Sequence, residues 1–373
     1  MGADRPFRVL SLDGGGIRGI YTAAYLHSVS RMFALKDERG MPDVGRAFDL
    51  IVGTSTGAII ACALAAAVPL EKVVRLYQEN AAAIFRKPLR AGRLLGVPRL
   101  RSWFGRSRAL ARGTEALRTA LENTFGSITL RGVYESRGIA LAIPAVDMEQ
   151  HRGWVFKTPH FPDTNHRDDD YTLVDVCLAS SAAPLFRSLA VVDHVDRLDG
   201  YKVFADGGLW ANNPVLVGLV EALQLTDKGD RIEVFCAGTC AAPTGQNIAR
   251  GDVHRSLLKW KLGGEAAALS IDAQQTAVDH IARKLVPHLD RDCDVVRFPV
   301  GTVPAGFLKY LDLDENRPEG LAALVNQARS DADATNSRCG TPNDQVGRLI
   351  RALFDAAPRI ERGTSCMTAR RTS

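Results

Sequence analysis

Long hydrophobic runs are missing from this 373-residue chain. Its most apolar stretch, Ala58 to Leu70, is too short to span a bilayer. The N-terminal residues Met1 to Phe7 are polar and carry no apolar signal core. These features predict a cytoplasmic protein that meets the inner membrane only peripherally, at its surface. Paired cysteine spacing is missing as well. The seven cysteines, at 62, 177, 236, 240, 293, 339 and 366, are odd in number, and most sit in apolar runs such as Val234–Ala237. That pattern predicts buried thiols in a reducing compartment, not a disulfide framework. Cys236 and Cys240 have no second Cys/His pair at zinc spacing, so no metal or cofactor is expected. A net charge of +5 is too mild to imply a DNA or RNA partner. There are no repeats and no long linker.

One segment lacks acid altogether. Residues 86–112 hold nine Lys/Arg and no Asp/Glu, interleaved with Leu89, Leu94, Leu95, Leu100, Trp103 and Phe104. The rest of the chain is therefore net acidic. Such a segment suits anionic lipid headgroups, at about 1 kcal/mol per basic residue near the surface. It equally suits the phosphates of a dinucleotide, or it is a solvated insertion with its leucines tucked into the core. Whether it serves as lid, membrane anchor or ligand site stays open at this point.

What is present is alternation of strand-like and helix-like segments. Phe7–Leu12, Phe48–Val52, Gly138–Val146, Trp154–Lys157, Val203–Ala205, Arg231–Ala237 and Asp294–Pro299 read as strands. Helices are expected after residue 20, over Ala58–Ala67, Leu70–Phe85, Thr172–Ala183, Pro318–Ser330 and Asn343–Ala356. Thr114 is expected to cap a helix over Glu115–Phe125, and Asn212-Asn213 one that begins at Pro214. Alternation of this kind argues for an α/β fold with a mainly parallel central sheet and helices on both faces. Residues 7–240 are read as a catalytic domain with a basic insertion at 86–112. Residues 241–357 form a mainly helical C-terminal addition, and 358–373 a disordered tail.

Three glycine-framed segments carry chemistry. Gly53-Thr54-Ser55-Thr56-Gly57 follows an apolar strand and opens a helix, the setting of a nucleophile elbow. Asp13-Gly14-Gly15-Gly16-Ile17-Arg18-Gly19 follows the first strand. Its consecutive glycines can aim several backbone N–H groups at one oxygen, which suits an oxyanion hole. Arg18 is placed to anchor that loop or add positive potential. Gly14-x-Gly16-x-x-Gly19 also fits a dinucleotide fingerprint, but Asp37 and Glu38 lie in a polar stretch before the second strand and Asp13 sets an anion where a pyrophosphate would sit. Asp206-Gly207-Gly208 ends a short strand and offers a carboxylate base, or else an ordinary turn.

In order and spacing these segments resemble patatin-like phospholipases. Ala179-Ser180-Ser181-Ala182-Ala183-Pro184, Asn212-Asn213-Pro214 and Gly238-Thr239 add to the likeness, although Cys240 stands where a glycine is expected. The resemblance implies a three-layer patatin-like fold and a Ser55–Asp206 dyad. It also implies an oxyanion hole from Gly14, Gly15 and Gly16, and acyl esters of lipids as substrates. Asp13, Arg18, Gly19, Gly53, Gly57, Gly207 and Gly208 are the supporting motif residues. Phe48–Ala63, Val68–Val73 and Leu76-Tyr77 are similar to bacterial patatin-like effectors of anti-phage cyclic-oligonucleotide signalling (CBASS). That finer likeness implies a cyclic dinucleotide such as 3',3'-cGAMP as activator, membrane phospholipid as substrate and a homo-oligomer as an option. The alternatives are a constitutive lipase or esterase, and an inactive scaffold with a hydrolase fold. A His triad drawn from His254, His280 or His288, and a metal at His160, His166 and Asp168–Asp170, are the competing site readings. A mobile acidic loop is the plainer reading of the second.

Overall fold

The computed structural model describes residues 5–37, 40–85, 100–184, 186–193, 200–240, 248–254, 264–299, 303 and 305–360. In chain order the elements are β1 (Phe7–Leu12), α1 (Gly19–Asp37), β2 (Leu50–Gly53), α2 (Thr56–Ala65), α3 (Leu70–Ile84), α4 (Leu100–Phe125), α5 (Leu130–Arg137), β3 (Ala140–Asp147), β4 (Arg152–Lys157) and α6 (Leu173–Ser180). They continue with β5 (Ala190–Asp193), β6 (Tyr201–Asp206), α7 (Gly208–Ala211), α8 (Val215–Leu225), β7 (Ile232–Ala237), α9 (Gly264–Leu285), β8 (Cys293–Phe298), α10 (Pro318–Cys339) and α11 (Gln345–Ala356).

The sheet runs β5-β6-β3-β2-β1-β7-β8, with β4 also paired to β3. The stretch from β3 through β8 is parallel. The β3–β4, β3–β6 and β5–β6 pairs are antiparallel. Successive residues of the central strands feed opposite layers, as the two-residue period of a strand requires. In β7, Ile232, Val234 and Cys236 join the layer of α8, whereas Phe235 and Ala237 join the core under α1 and α2. Both faces are covered, which is why these strands read as unbroken apolar runs.

Register brings distant residues level. Val52 lies opposite Ala142 in the parallel β2–β3 pair. Ser55 follows β2 by two residues, at the same end of the sheet. β6 enters from the other direction and overlaps only the end of β3, so Asp206 lies opposite Ala145. Two residues 151 positions apart thus meet at the rim of the sheet.

Several expectations are corrected. Thr114 caps nothing: α4 runs through it, and its hydroxyl donates back to the Leu110 carbonyl at 3.1 Å. A threonine satisfied in this way sits inside a helix without ending it. The acidic stretch 160–170 is anchored near its C-terminal end. Asp168 and Asp169 are buried, Asp168 accepts from Arg167 and from the Lys157 N–H, and Asp169 pairs with Arg131 at 2.9 Å. α10 extends nine residues past Ser330, to Cys339. Residues 358–360 are ordered by antiparallel pairing with 41–43, through Asp43 N–H to Pro358 O and Ile360 N–H to Met41 O. Within the basic segment, 86–99 lie outside the described residues, and 100–112 form the first half of α4. The six described cysteines are unpaired and buried. Among the described residues no helix is long and apolar enough to cross a membrane.

Candidate active site

Ser55 sits between β2 and α2 at φ 56°, ψ −117°. A non-glycine residue held in that region is strained, and the strain turns Oγ away from the strand–helix junction. Gly57 permits the tight turn, since a Cβ there would collide with the Leu12 carbonyl. The Ser55 N–H donates to the Ser180 hydroxyl at 2.9 Å, and that hydroxyl donates to the Pro144 carbonyl at 2.7 Å. α6 and β3 thereby fix the elbow from below.

Ser55 Oγ donates to Asp206 Oδ2 at 2.8 Å. The other carboxylate oxygen accepts from the Gly208 N–H at 2.6 Å. Both residues are buried, at 7% and 6% exposure. Burial pushes the Asp206 carboxyl up to about 6, against the opposing pull of the Gly208 N–H, the Ser55 hydroxyl and Arg187. The group therefore remains ionised at neutral pH and is much more basic than an ordinary aspartate.

The glycine loop lies across the same opening. Its three amides differ in use. Gly14 N–H donates to the Asn212 carbonyl at 2.9 Å, so it is committed inside the protein. Gly15 and Gly16 N–H make no hydrogen bond among the described residues. Gly16 holds φ +58°, and a Cβ there would strike the Leu313 carbonyl. Arg18 is buried, and its Nε donates to the Gly15 carbonyl at 3.3 Å, closing the loop on itself.

Beneath the loop, Asp13 is wholly buried. Its Oδ2 accepts from Arg297 Nη1 at 2.6 Å and from Gln275 Nε2 at 2.9 Å. Burial raises the Asp13 carboxyl above its usual range, and Arg297 counteracts this. Arg297 also holds Asp279 at 2.7 Å. Sequence reasoning missed Arg297, Gln275 and Asp279, which come from β8 and α9. The one available signal was an arginine inside the otherwise apolar run Val295–Phe298.

A cavity of about 120 Å³ opens onto Ser55 and Asp206. Phe85, Pro184, Phe186, Leu209, Ile271 and Leu313 give it apolar walls, and its two cations are Arg18 and Arg187. Among the described residues no histidine lines it. His254, His280 and His288 are exposed, and His160 is buried between the Thr158 hydroxyl and Glu221. Among the described residues the readings of a triad and of a metal at 160–170 thus lack the geometry they need. Cys240, where the motif would have glycine, holds φ 57°.

A family model described as patatin-like phospholipase matches residues 10–219. The chain belongs to the patatin-like phospholipases. It is 35% identical over 283 residues to a cGAMP-activated phospholipase of Pseudomonas aeruginosa (strain BWHPSA011 / Pa011), covering 74% of this chain and 75% of that protein. It is 37% identical over 218 residues to a cGAMP-activated phospholipase of Vibrio cholerae serotype O1 (strain ATCC 39315 / El Tor Inaba N16961), with 58% of each chain covered. A cUMP-AMP-activated phospholipase of Escherichia coli is 31% identical over 251 residues, covering 65% of this chain and 67% of that protein.

Proposed function

We propose that this protein hydrolyses acyl esters of membrane phospholipids or lysophospholipids through an acyl-Ser55 intermediate, under the control of a cyclic dinucleotide. The observation that carries the chemistry is the 2.8 Å hydrogen bond from Ser55 Oγ to a buried carboxylate. Ser55 Oγ attacks the ester carbonyl carbon, and its proton passes to Asp206. The carbonyl oxygen becomes an oxyanion facing Gly15 and Gly16 N–H, the loop amides left uncommitted. Gly14 acts by holding the loop to Asn212. Collapse of the adduct breaks the C–O bond, and the departing alkoxide takes the proton from Asp206-H. Water then gives its proton to Asp206 and attacks the acyl carbon; collapse breaks the bond to Ser55 Oγ, which takes the proton back from Asp206-H as the fatty acid leaves. No step needs a metal.

Peripheral action at the inner membrane is supported by the cavity mouth, where Phe186 and Leu209 are 44% and 41% exposed and Trp210 stands nearby. Aromatic and aliphatic side chains of that kind insert at an interface. Nucleotide control is supported by the likeness to cGAMP-activated and cUMP-AMP-activated phospholipases, and a role in anti-phage defence is what the resemblance to CBASS effectors implies.

The test is release of fatty acid from phospholipid vesicles, without nucleotide and with 3',3'-cGAMP or cUMP-AMP. Activity is expected only with a cyclic dinucleotide. Ser55→Ala and Asp206→Ala are each expected to abolish it, with a loss of about 10⁴-fold or more, while circular dichroism stays unchanged. Retained hydrolysis in Asp206→Ala rejects the dyad. Full activity without nucleotide rejects the control and leaves a constitutive lipase. No labelling of Ser55 by a fluorophosphonate in any condition rejects an enzyme.

A further inference from the structure

Three polar groups near the dyad have no hydrogen-bond partner among the described residues: Arg187 Nη1 and Thr56 Oγ1 in the cavity wall, and Tyr77 OH behind it. All three are buried, with Arg187 at 9% exposure, Thr56 at 2% and Tyr77 at 1%. They belong to one neighbourhood. Tyr77 OH and Thr56 Oγ1 lie 3.0 and 3.1 Å from the point a Cβ on Gly19 would occupy. Tyr77 and Asp206 are both near enough to Arg187 to act on its protonation. Thr56 and Arg187 line the cavity together with Ser55 and Asp206.

The two cavity arginines are not equivalent. Arg18 Nε is committed to the Gly15 carbonyl, and Asp13, Asp272 and Asp312 act on its charge. Arg187 makes no ion pair or side-chain hydrogen bond among the described residues. Its guanidinium lies over the Phe85 ring at 4.9 Å, and the one carboxylate acting on it belongs to the dyad. Burial lowers its pKa to about 10, so it is still a cation at neutral pH. A buried cation without a carboxylate of its own is costly. Its own orphaned Nη1 and the two orphaned hydroxyls near it compound the cost. Both costs are offset when an anionic oxygen group enters, because a guanidinium and two hydroxyls suit the several acceptors of a phosphate.

We propose that Arg187, Tyr77 and Thr56 form a subsite for the phosphodiester of the substrate, placing the ester beside Ser55. The subsite rests on the acyl-hydrolase reading above and narrows it to phosphate-bearing lipids. The uncommitted guanidinium is the specificity-determining group. The two hydroxyls complete the shell.

The experiment, run with 3',3'-cGAMP or cUMP-AMP present throughout, compares hydrolysis of 1-lauroyl-lysophosphatidylcholine with that of 1-monolaurin, which has the same acyl chain without the phosphate, in the full chain and in Arg187→Met. The expected result is a fall of about 30-fold or more in the ratio of the two kcat/KM values, carried mainly by KM for the phosphate-bearing lipid. Tyr77→Phe is expected to lower the same ratio about threefold. A binding measurement independent of turnover uses dodecylphosphocholine against the uncharged dodecyl maltoside. The phosphate amphiphile is expected to raise the melting temperature of the wild type, and that rise is lost in Arg187→Met. Equal loss on both substrates, which follows if Arg187 serves only to tune Asp206 or to pack on Phe85, overturns the proposal. So does an equal response of wild type and Arg187→Met to dodecylphosphocholine. A wild type that binds dodecylphosphocholine through Arg187 yet hydrolyses neither lipid sustains the subsite and rejects the hydrolase.

Discussion

The first 240 residues carry the proposed reacting pair, and the residues after 264 carry the side chains that hold one wall of the site. The Ser55–Asp206 wall is built within the first region: Ser180, Pro144 and the Gly208 amide supply its hydrogen bonds. The glycine-loop wall is not self-sufficient. Asp13 is held by Arg297 on β8 and Gln275 on α9, and the Leu313 carbonyl closes on Gly16 and accepts from Ile17 N–H. α9 also reaches the helix after Asp206, since Gln274 Nε2 donates to the Leu209 carbonyl at 3.0 Å. Chemistry is thus local in one region, and the loop's shape depends on the other. A shift of α9 or β8 is expected to bear first on the glycine loop, because the hydrogen bonds of Ser55 lie within the first region.

The sharpest way to break this contrast is Arg297→Ala. It strands Asp13, which has no exposure to solvent. Removing one member of a buried pair costs about 3–5 kcal/mol. The exposed Arg75–Glu71 pair is the control, since an i,i+4 surface pair is worth about 0.3–0.5 kcal/mol. Urea unfolding of Arg297→Ala and Arg75→Ala reads the difference. Equal, small losses show that the second region does not hold the loop.

Next in size is a gain of stability. Asp206 has a folded pKa near 6, above the 3.8 of the free group. Between those values the folded state binds more protons than the unfolded state, so stability falls as pH rises through this window, and the full cost is present above pH 6. Asp206→Asn removes that cost and is expected to stabilise the protein at pH 7 by roughly 2–3 kcal/mol, with no gain below pH 3.8. Melting curves at pH 7 and at lower pH test this. The same titration predicts that wild-type kcat/KM falls about tenfold per pH unit below 6, because the base must be ionised. A flat profile down to pH 5 shows the carboxylate is not the base.

Legibility in the sequence follows the same division. Ser55, Asp206 and the glycines are readable because a strained turn and close backbone approach demand particular residue types within a few positions. Arg297 and Gln275 act across 284 and 262 positions. No local pattern marks such a partner, apart from one charge in a buried strand. Gly14 shows a finer limit: the motif offers three amides, and only the fold reveals that Asn212 takes one of them. Thr114 was misread because the same hydroxyl that caps a helix also bonds back within one. β5 escaped because four residues with two exposed positions carry little periodicity.

A smaller effect probes the self-supporting wall. Ser180→Ala removes the acceptor of the Ser55 N–H and the donor to Pro144, both buried. An unsatisfied buried backbone group costs about 1–3 kcal/mol. The expected signature is a fall in kcat with KM little changed, because the elbow loosens while the cavity persists. A change in KM alone places Ser180 in substrate contact instead.

The smallest effect lies at Cys240, the last described residue of the first region before 248. At φ 57° a side chain costs about 1–2 kcal/mol relative to the right-handed conformations. A glycine escapes that strain but gives back about 0.5–1 kcal/mol of chain entropy and about 1 kcal/mol of buried thiol. Cys240→Gly is therefore expected to be nearly neutral. Cys240→Ala keeps the strain and loses the thiol, so it is expected to be the less stable variant by roughly 1 kcal/mol. Unfolding curves of the two variants isolate the backbone cost. If alanine equals or exceeds glycine, the φ at 240 is not imposed by the fold. The turn that leads out of β7 past the glycine loop is then held by side-chain packing alone.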